Sequence, residues 1–315
     1  MAQTTIPAER RERIQALGYD YAAQPREWVD ACNLCGGSAF VVLTHRDRYG
    51  YPAEAHACSG CGLTFINPRM TAASYGRFYD GIYRPLVSAF HGRLIDARTI
   101  QAEQREYAEQ RAAFVKPFLE GAGLKTLLDI GGSTGVVAHH FTREFGLRGT
   151  LIDPAPLEVE EARRLGLDTV TGLVEEHDFG AQKFDLVLIC QTVDHLLDVG
   201  SVLRRVRSLL SDNGLLFIDI VDFRAAYLRN WSVEDAIKID HPYYLTQETM
   251  TAYLRRAGFD LLRADYAADH LHVSYLCKGG ATEPNALPTS ASIDELLREI
   301  RFVQNTTQPL NPGRK

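Results

Sequence analysis

Two pairs of cysteines stand out as residues able to do chemistry. Cys32-Asn33-Leu34-Cys35-Gly36 and Cys58-Ser59-Gly60-Cys61-Gly62 are tight knuckles with 22 residues between them. Two residues between thiolates, with glycine next, let backbone amides point at sulfur while both sulfurs face one ion. Two such knuckles supply a tetrahedral site. Four thiolates suit zinc and leave no coordination position open for water, so the expected role of Cys32, Cys35, Cys58 and Cys61 is structural. An iron site, a redox dithiol pair or unliganded thiols are the alternatives. His45 and His56 lie close enough in sequence to serve as further ligands, although loop histidines are more commonly exposed. Cys190 and Cys277 end apolar strands and read as small buried hydrophobes.

A second stretch, Leu127-Leu128-Asp129-Ile130-Gly131-Gly132-Ser133-Thr134-Gly135, reads as an apolar strand running into a glycine turn that opens a helix. Glycines without Cβ let a ligand lie against the backbone at the carboxyl end of the strand. Neither common phosphate cradle fits. Ser133 and Val136 occupy the second and third glycine positions of a dinucleotide fingerprint, and no lysine completes a P-loop. The pattern is instead Asp129-x-Gly131-x-x-x-Gly135, followed at the end of the next strand by Asp153. An acidic residue there accepts hydrogen bonds from ribose hydroxyls. A tight turn in some other α/β protein is the plain alternative.

These residues need elements to position them. After Gly123 strand and helix alternate: strands at 126–130, 150–152, 169–171, 184–189 and 214–221, with helices to about Phe145, from Pro156 and near Val202–Leu210. That rhythm predicts a parallel sheet with crossover helices. Residues 259–264 and 270–277 follow a helix closing at Tyr253–Ala257 and sit close together like a hairpin, so the sheet is expected to finish antiparallel. Residues 1–30 form a lead-in with a short helix at 7–17. Residues 31–70 carry short β-like pieces too small to bury a core without the cysteine staple. Residues 71–122 read as helical, with Ile100, Tyr107, Phe114 and Phe118 on one face. That face packs on its own domain in this reading, self-association into a homodimer being the alternative. Residues 123–279 form the main domain, interrupted at 222–245 by a segment rich in aromatic and charged residues. Residues 280–315 form a tail in which prolines 284, 288, 309 and 312 flank one amphipathic helix, with Ser292 and Glu295 as its expected capping box.

Composition sets the outer limits. Of 315 residues 45% are apolar and 23% charged, an ordinary globular balance. The net charge of −6 gives no global field for phosphate backbones, which disfavours a nucleic-acid partner. No stretch reaches the ~18–20 apolar residues needed to cross a bilayer, and Met1–Asp30 has no apolar segment of the kind a secretory signal carries. A cytoplasmic location with reduced cysteines is the expectation.

From about Ala97 to Lys278 the sequence resembles the class I S-adenosylmethionine-dependent methyltransferases. The resemblance is carried by the Asp129–Gly135 loop, Asp153, Phe184-Asp185-Leu186-Val187-Leu188, Leu196-Leu197-Asp198 and Ala257-Gly258-Phe259. It implies an α/β, Rossmann-like sheet of seven strands with an antiparallel last strand. It also implies that Gly131, Gly132 and Gly135 line the methionine part of S-adenosylmethionine, that Asp129 helps hold its amino group and that Asp153 holds the ribose. Leu173 and Val174 would flank adenine, and Gln191 would sit under the cofactor. The knuckles, Asn67-Pro68-Arg69 and the Tyr79, Tyr83 segment resemble the N-terminal zinc-binding part of a subset of these enzymes, including bacterial deoxysugar C-methyltransferases. Those enzymes carry a further large C-terminal domain, whereas 37 residues follow Lys278 here.

A methyltransferase of this kind must place an acceptor in line with an activated methyl group, exclude water and, for a hydroxyl, remove a proton. His195, in Asp194-His195 after the fourth strand, is the first candidate base, and His241 in the 222–245 segment is the second. That segment, with Trp231, Glu234, Tyr243 and Tyr244, suits a lid over the acceptor. The two tyrosines read as packing groups, and Tyr79 and Tyr83 as either pocket walls or packing. The expected reaction is methylation of a small polar metabolite such as a sugar or natural-product intermediate, at oxygen. Methylation at nitrogen or carbon, ribosomal RNA methylation and a noncatalytic zinc adaptor that keeps the fold are the alternatives.

Overall fold

A short helix, α1 (Ala8–Gln15), leads into strand β1 (Arg26–Glu27). The cysteine-rich region then forms β2 (Phe40–Thr44), β3 (Ala55–Cys58), β4 (Thr64–Ile66) and β5 (Arg69–Met70), the last pairing back onto β1. Between β4 and β5 the Asn67–Pro68 peptide is cis, and the Asn67 side chain holds the N–H and C=O of Val29. These are details of a computed structural model that describes residues 6–306 of the chain. Pro309 and Pro312 lie outside the described residues.

Three helices follow: α2 (Ala72–Gly81), α3 (Tyr83–His91) and α4 (Ile100–Leu119). The main sheet is then laid down by β6 (Thr126–Ile130), α5 (Val136–Phe145), β7 (Arg148–Asp153), α6 (Pro156–Arg164), β8 (Asp168–Thr171), β9 (Phe184–Cys190), α7 (Val199–Leu209) and β10 (Leu210–Val221). After α8 (Phe223–Asn230) and β11 (Tyr243–Tyr244) come α9 (Gln247–Arg256), β12 (Phe259–Tyr266), β13 (His272–Gly279) and the tail helix α10 (Ser290–Asn305).

Seven strands run in the order β12-β13-β10-β9-β6-β7-β8. All pairs are parallel except those made by β13, which runs antiparallel to both β10 and β12. The central strands are buried on both faces, so they read as unbroken apolar runs. Leu186, Val187, Leu188 and Ile189 of β9 are wholly buried, each contributing about 1.5–3 kcal/mol of transfer free energy. Strand order reverses between β6 and β9, which opens a crevice at their carboxyl ends. Among the described residues no helix is long and apolar enough to cross a membrane.

The structure corrects several local expectations. The inward face of α4 is Ala108, Arg111, Ala112, Val115 and Leu119, not Ile100, Tyr107, Phe114 and Phe118, which are only partly buried. Small residues let α4 lie close on the sheet domain, and the aromatics fill its flanks. The tail helix starts earlier than Ser292: Thr289 caps it by accepting the Ser292 N–H at 3.2 Å, and Glu295 instead pairs with Arg224 at 2.9 Å. Its Ile293, Leu296, Ile300 and Val303 are buried.

The 222–245 segment is not a free flap. Its strand β11 pairs antiparallel with β4, completing a four-stranded sheet in the order β11-β4-β3-β2. Asp47 ties the same segment down from the other side, accepting the Ile239 N–H at 3.1 Å while its second oxygen accepts the N–H groups of Tyr49 and Tyr51. The cysteine module is equally bound to the main domain. Cys32, Cys58, Cys61, Leu63 and Phe65 share one core with Val199, Leu203, Met250 and Tyr253. Asn33, between the first two cysteines, donates to Asp198 at 2.9 Å and accepts from Tyr253 at 2.8 Å.

Candidate active site

Strand β6 buries Leu127, Leu128, Asp129 and Ile130, and the chain then turns through Gly131, whose φ of +68° favours glycine. A Cβ on Gly131 would lie 2.3 Å from the Thr192 side chain, and one on Gly132 would lie 2.4 Å from an Asp129 oxygen. Bare backbone is therefore obligatory at the mouth of the crevice. Gly135 does a different job. A Cβ there would meet Ala162 and Leu167 at 2.7 and 2.8 Å, so this buried residue lets α5 pack tightly on α6.

Asp129 is wholly buried, and neither of its carboxylate oxygens has a hydrogen-bond partner among the described residues. Burial pushes its pKa up to about 7, against the pull of Arg111. An unpartnered acid beside the bare glycine turn fits a ligand ammonium group. At the end of β7, Asp153 accepts the N–H of Ser133 from one oxygen and that of Ala155 from the other, both at 2.9 Å. It thereby pins the glycine turn to the neighbouring strand and keeps lone pairs for hydroxyl donors. Burial lifts its pKa to about 6. Leu173 is exposed and Val174 buried in the turn after β8. Gln191 follows β9 with φ +49°, held there because its N–H donates to Asp219 at 2.8 Å. Asp219 is in turn clamped at 2.6 Å by Arg111 from α4.

On the other side of the crevice two Asp-His dipeptides meet. The rings of His195 and His241 are 4.3 Å apart, centroid to centroid. His241 is buried between two carboxylates, with Nδ1 2.8 Å from Asp194 and Nε2 3.2 Å from Asp240. Burial alone would push its pKa down, but these carboxylates hold it above the usual histidine range, against the nearby Lys238 ammonium. Both aspartates are correspondingly held well below the usual carboxylate range.

His195 is arranged differently. The Tyr79 hydroxyl donates its single proton to the Asp240 carbonyl at 2.5 Å, so the 2.6 Å contact between Tyr79 Oη and His195 Nδ1 requires Nδ1 to carry the hydrogen. Nδ1 also lies 3.2 Å from the Asp240 carbonyl. Nε2 is left as a lone pair with no partner among the described residues. Burial, and then the charge on His241, push the His195 pKa down to about 4, so the ring is neutral near pH 7. Tyr83 borders it, with centroids 6.5 Å apart, and the adjacent Arg84 reaches Glu158 of α6, so α3 bridges the crevice.

The four knuckle sulfurs lie within 4.8 Å of one another. Cys32–Cys61 and Cys35–Cys58 are each 3.5 Å apart, close to the ~3.8 Å edge of a tetrahedron with metal–sulfur bonds of ~2.3 Å. The donor set and its shape fit a four-coordinate ion. His45 and His56 are not part of it: both turn to Glu54, at 2.8 and 3.3 Å.

A family model described as a methyltransferase domain matches residues 100–264, just over half of the chain. The chain belongs to this methyltransferase family. A ubiquinone biosynthesis O-methyltransferase from Methylocella silvestris is 36% identical over 97 residues, 29% of this chain and 38% of that protein. A protein of the same description from Azorhizobium caulinodans is 26% identical over 151 residues, 43% of this chain and 58% of the other. The chain thus spans less than two-thirds of the length of either relative. Among solved structures, the mitomycin 7-O-methyltransferase MmcR has the same fold, with a TM-score of 0.50, 21% identity and coverage of 65% of this chain and 60% of that one.

In this methyltransferase Asp129, Gly131, Gly132, Asp153 and Gln191 gather at the carboxyl ends of β6, β7 and β9, His195 and His241 meet in a second cluster that begins just after β9, and Gly135 stands behind the turn. The four cysteines lie apart, in the wall that carries β11. Sequence reasoning missed Lys238, Asp240, Arg111 and Asp219. Asp240 had a signal, since Asp240-His241 repeats the Asp194-His195 dipeptide, and Lys238 had none. Arg111 had none either, being one of two arginines on a polar helix.

Proposed function

We propose that the chain is a methyltransferase that moves a methyl group from S-adenosylmethionine to a hydroxyl of a small polar acceptor, such as a sugar or natural-product intermediate. The observation that carries this reading is the unpartnered Nε2 of a neutral His195 whose Nδ1–H is already committed. Asp129 would hold the amino group, the Gly131–Gly132 backbone the methionine portion, Asp153 the ribose, Leu173 and Val174 the adenine, and Gln191 the underside of the cofactor. When bound, the cofactor supplies an activated, positively charged methyl donor. The acceptor hydroxyl then needs only alignment and loss of its proton, and His195 Nε2 is the group free to take it. Tyr79 and the Asp240 carbonyl fix the tautomer that makes this possible. His241, with both nitrogens engaged, is better suited to orienting Asp194 and Asp240 and keeping His195 neutral than to being the base. The names of the O-methyltransferase relatives support oxygen as the acceptor atom.

We further propose that the four cysteines bind a structural zinc ion. Binding of S-adenosylhomocysteine by calorimetry, weakened in Asp153→Ala, tests the cofactor site. His195→Ala should lose about 10²–10⁴ in turnover with cofactor affinity unchanged. Unchanged turnover would remove His195 as the base.

A further inference from the structure

Behind the histidines, positive charge gathers without an answering ion pair. Arg10 of α1 and Arg48, in the loop after β2, both lie against Phe90, their guanidinium carbons 4.2 and 4.1 Å from its centroid. Arg48 also lies 5.1 Å from the centroid of Tyr49. Its backbone N–H donates to the Ile237 carbonyl at 2.9 Å, which places it beside Lys238. The Lys238 ammonium in turn lies 3.3 Å from His241 Nε2. Three cations therefore lead from α1 to the reacting end of the crevice.

Most other buried or half-buried cations of the chain are paired, Arg69 with Glu27, Arg84 with Glu158, Arg111 with Asp219 and Arg224 with Glu299. Arg10, Arg48 and Lys238 form no ion pair with a carboxylate among the described residues, and the Nε atoms of Arg10 and Arg48 are buried with no hydrogen-bond partner. The carboxylates that face them are Asp235, which feels both arginines without pairing with either, and Asp194 and Asp240, which oppose the Lys238 charge from a distance and are each in contact with His241. Burial and then the nearby Arg48 hold the Lys238 ammonium below the usual lysine range. Like charges gathered against aromatic walls repel one another and leave donors unused, and an anion relieves both costs. Guanidinium forks match the planar or tetrahedral oxygens of a carboxylate or a phosphate, and the lysine adds a point charge.

We propose that Arg10, Arg48 and Lys238 form a subsite for an anionic group of the methyl acceptor, a carboxylate or a phosphate, that positions the acceptor hydroxyl at His195. The role of the anion as part of an acceptor rests on the methyltransferase reading; the anion site itself does not.

The test is calorimetry on the full chain saturated with S-adenosylhomocysteine, titrated at matched ionic strength with inorganic pyrophosphate in one arm and citrate in the other. The expected result is binding of at least one anion that weakens tenfold or more in Arg48→Gln and about threefold in Arg10→Gln, with melting temperature and S-adenosylhomocysteine affinity as in the wild type. Preference for pyrophosphate assigns a phosphorylated acceptor, and preference for citrate a carboxylated one. Anion binding that is equally strong in both variants, or absent from the wild type, overturns the subsite. A chain that binds the anion but not S-adenosylhomocysteine overturns the methyltransferase reading instead.

Discussion

Asp129→Asn separates what the buried acid costs the fold from what it contributes to the ligand. The Asp129 carboxyl is neutral in the folded chain up to about pH 7, whereas in the unfolded chain it ionises near pH 4. The folded state therefore loses about 1.4 kcal/mol for each pH unit between those values, about 4 kcal/mol in all by pH 7, and the loss is constant above that. Asparagine carries no charge but leaves an unpaired buried amide, which returns about 1–3 kcal/mol of the cost. The variant should thus melt a few degrees higher than the wild type at pH 7.5. Its affinity for S-adenosylhomocysteine should fall, because a charge-assisted hydrogen bond to the ammonium is worth about 1.5–3 kcal/mol, roughly 10- to 150-fold in Kd. Ligand ammonium favours the ionised acid, so binding to the wild type releases a proton and affinity should fall by up to tenfold per pH unit below about 7. The asparagine variant should lose that slope. Calorimetry at several pH values in buffers of different ionisation enthalpy measures affinity and proton release together. Unchanged affinity, or weaker binding accompanied by a lower melting temperature, would refute the argument.

Two further predictions concern packing and metal. Gly135→Ala places a methyl 2.7 Å from the Ala162 Cβ at a residue with φ +77°, and should lower stability by about 1–3 kcal/mol, read as a shifted denaturant midpoint; a midpoint unchanged within error would mean α5 and α6 separate freely. Cys58→Ser, or a strong chelator, should cut bound zinc from one equivalent to well below half and lower the melting temperature of the whole chain in one transition, since the knuckles share a core with α7 and α9. Retained stability with no metal by elemental analysis would exclude a structural ion.

What was legible in advance was local. The glycine turn, Asp153 and the alternating strands are each written within a few consecutive residues, because strand-turn-helix geometry makes demands on its own stretch of chain. The cysteine knuckles are legible for the same reason. The α4 face was misread because its close contact is made by Ala108 and Ala112, whose small size rather than hydrophobic bulk is what the packing requires. The clamp from Arg111 through Asp219 to Gln191 joins residues more than a hundred positions apart, and no local pattern encodes it. Nor does any announce that 222–245 would lend a strand to the cysteine module.

That lent strand bears on how the enzyme could change acceptor without changing cofactor. The side of the crevice proposed to hold the cofactor is made within one continuous stretch of sheet, from Asp129 to Gln191. The opposite side is assembled from Tyr79 on α2, Arg48 after β2 and the Lys238–His241 turn, all resting on the small sheet to which β11 belongs. Because Asp47 and β11 join the cysteine module to that turn at two points, the knuckles support the wall proposed to face the acceptor. Substitutions in the β2–β3 loop are therefore expected to alter which acceptor is held, while the glycine turn and Asp153, anchored in the main sheet, keep the methyl donor in place.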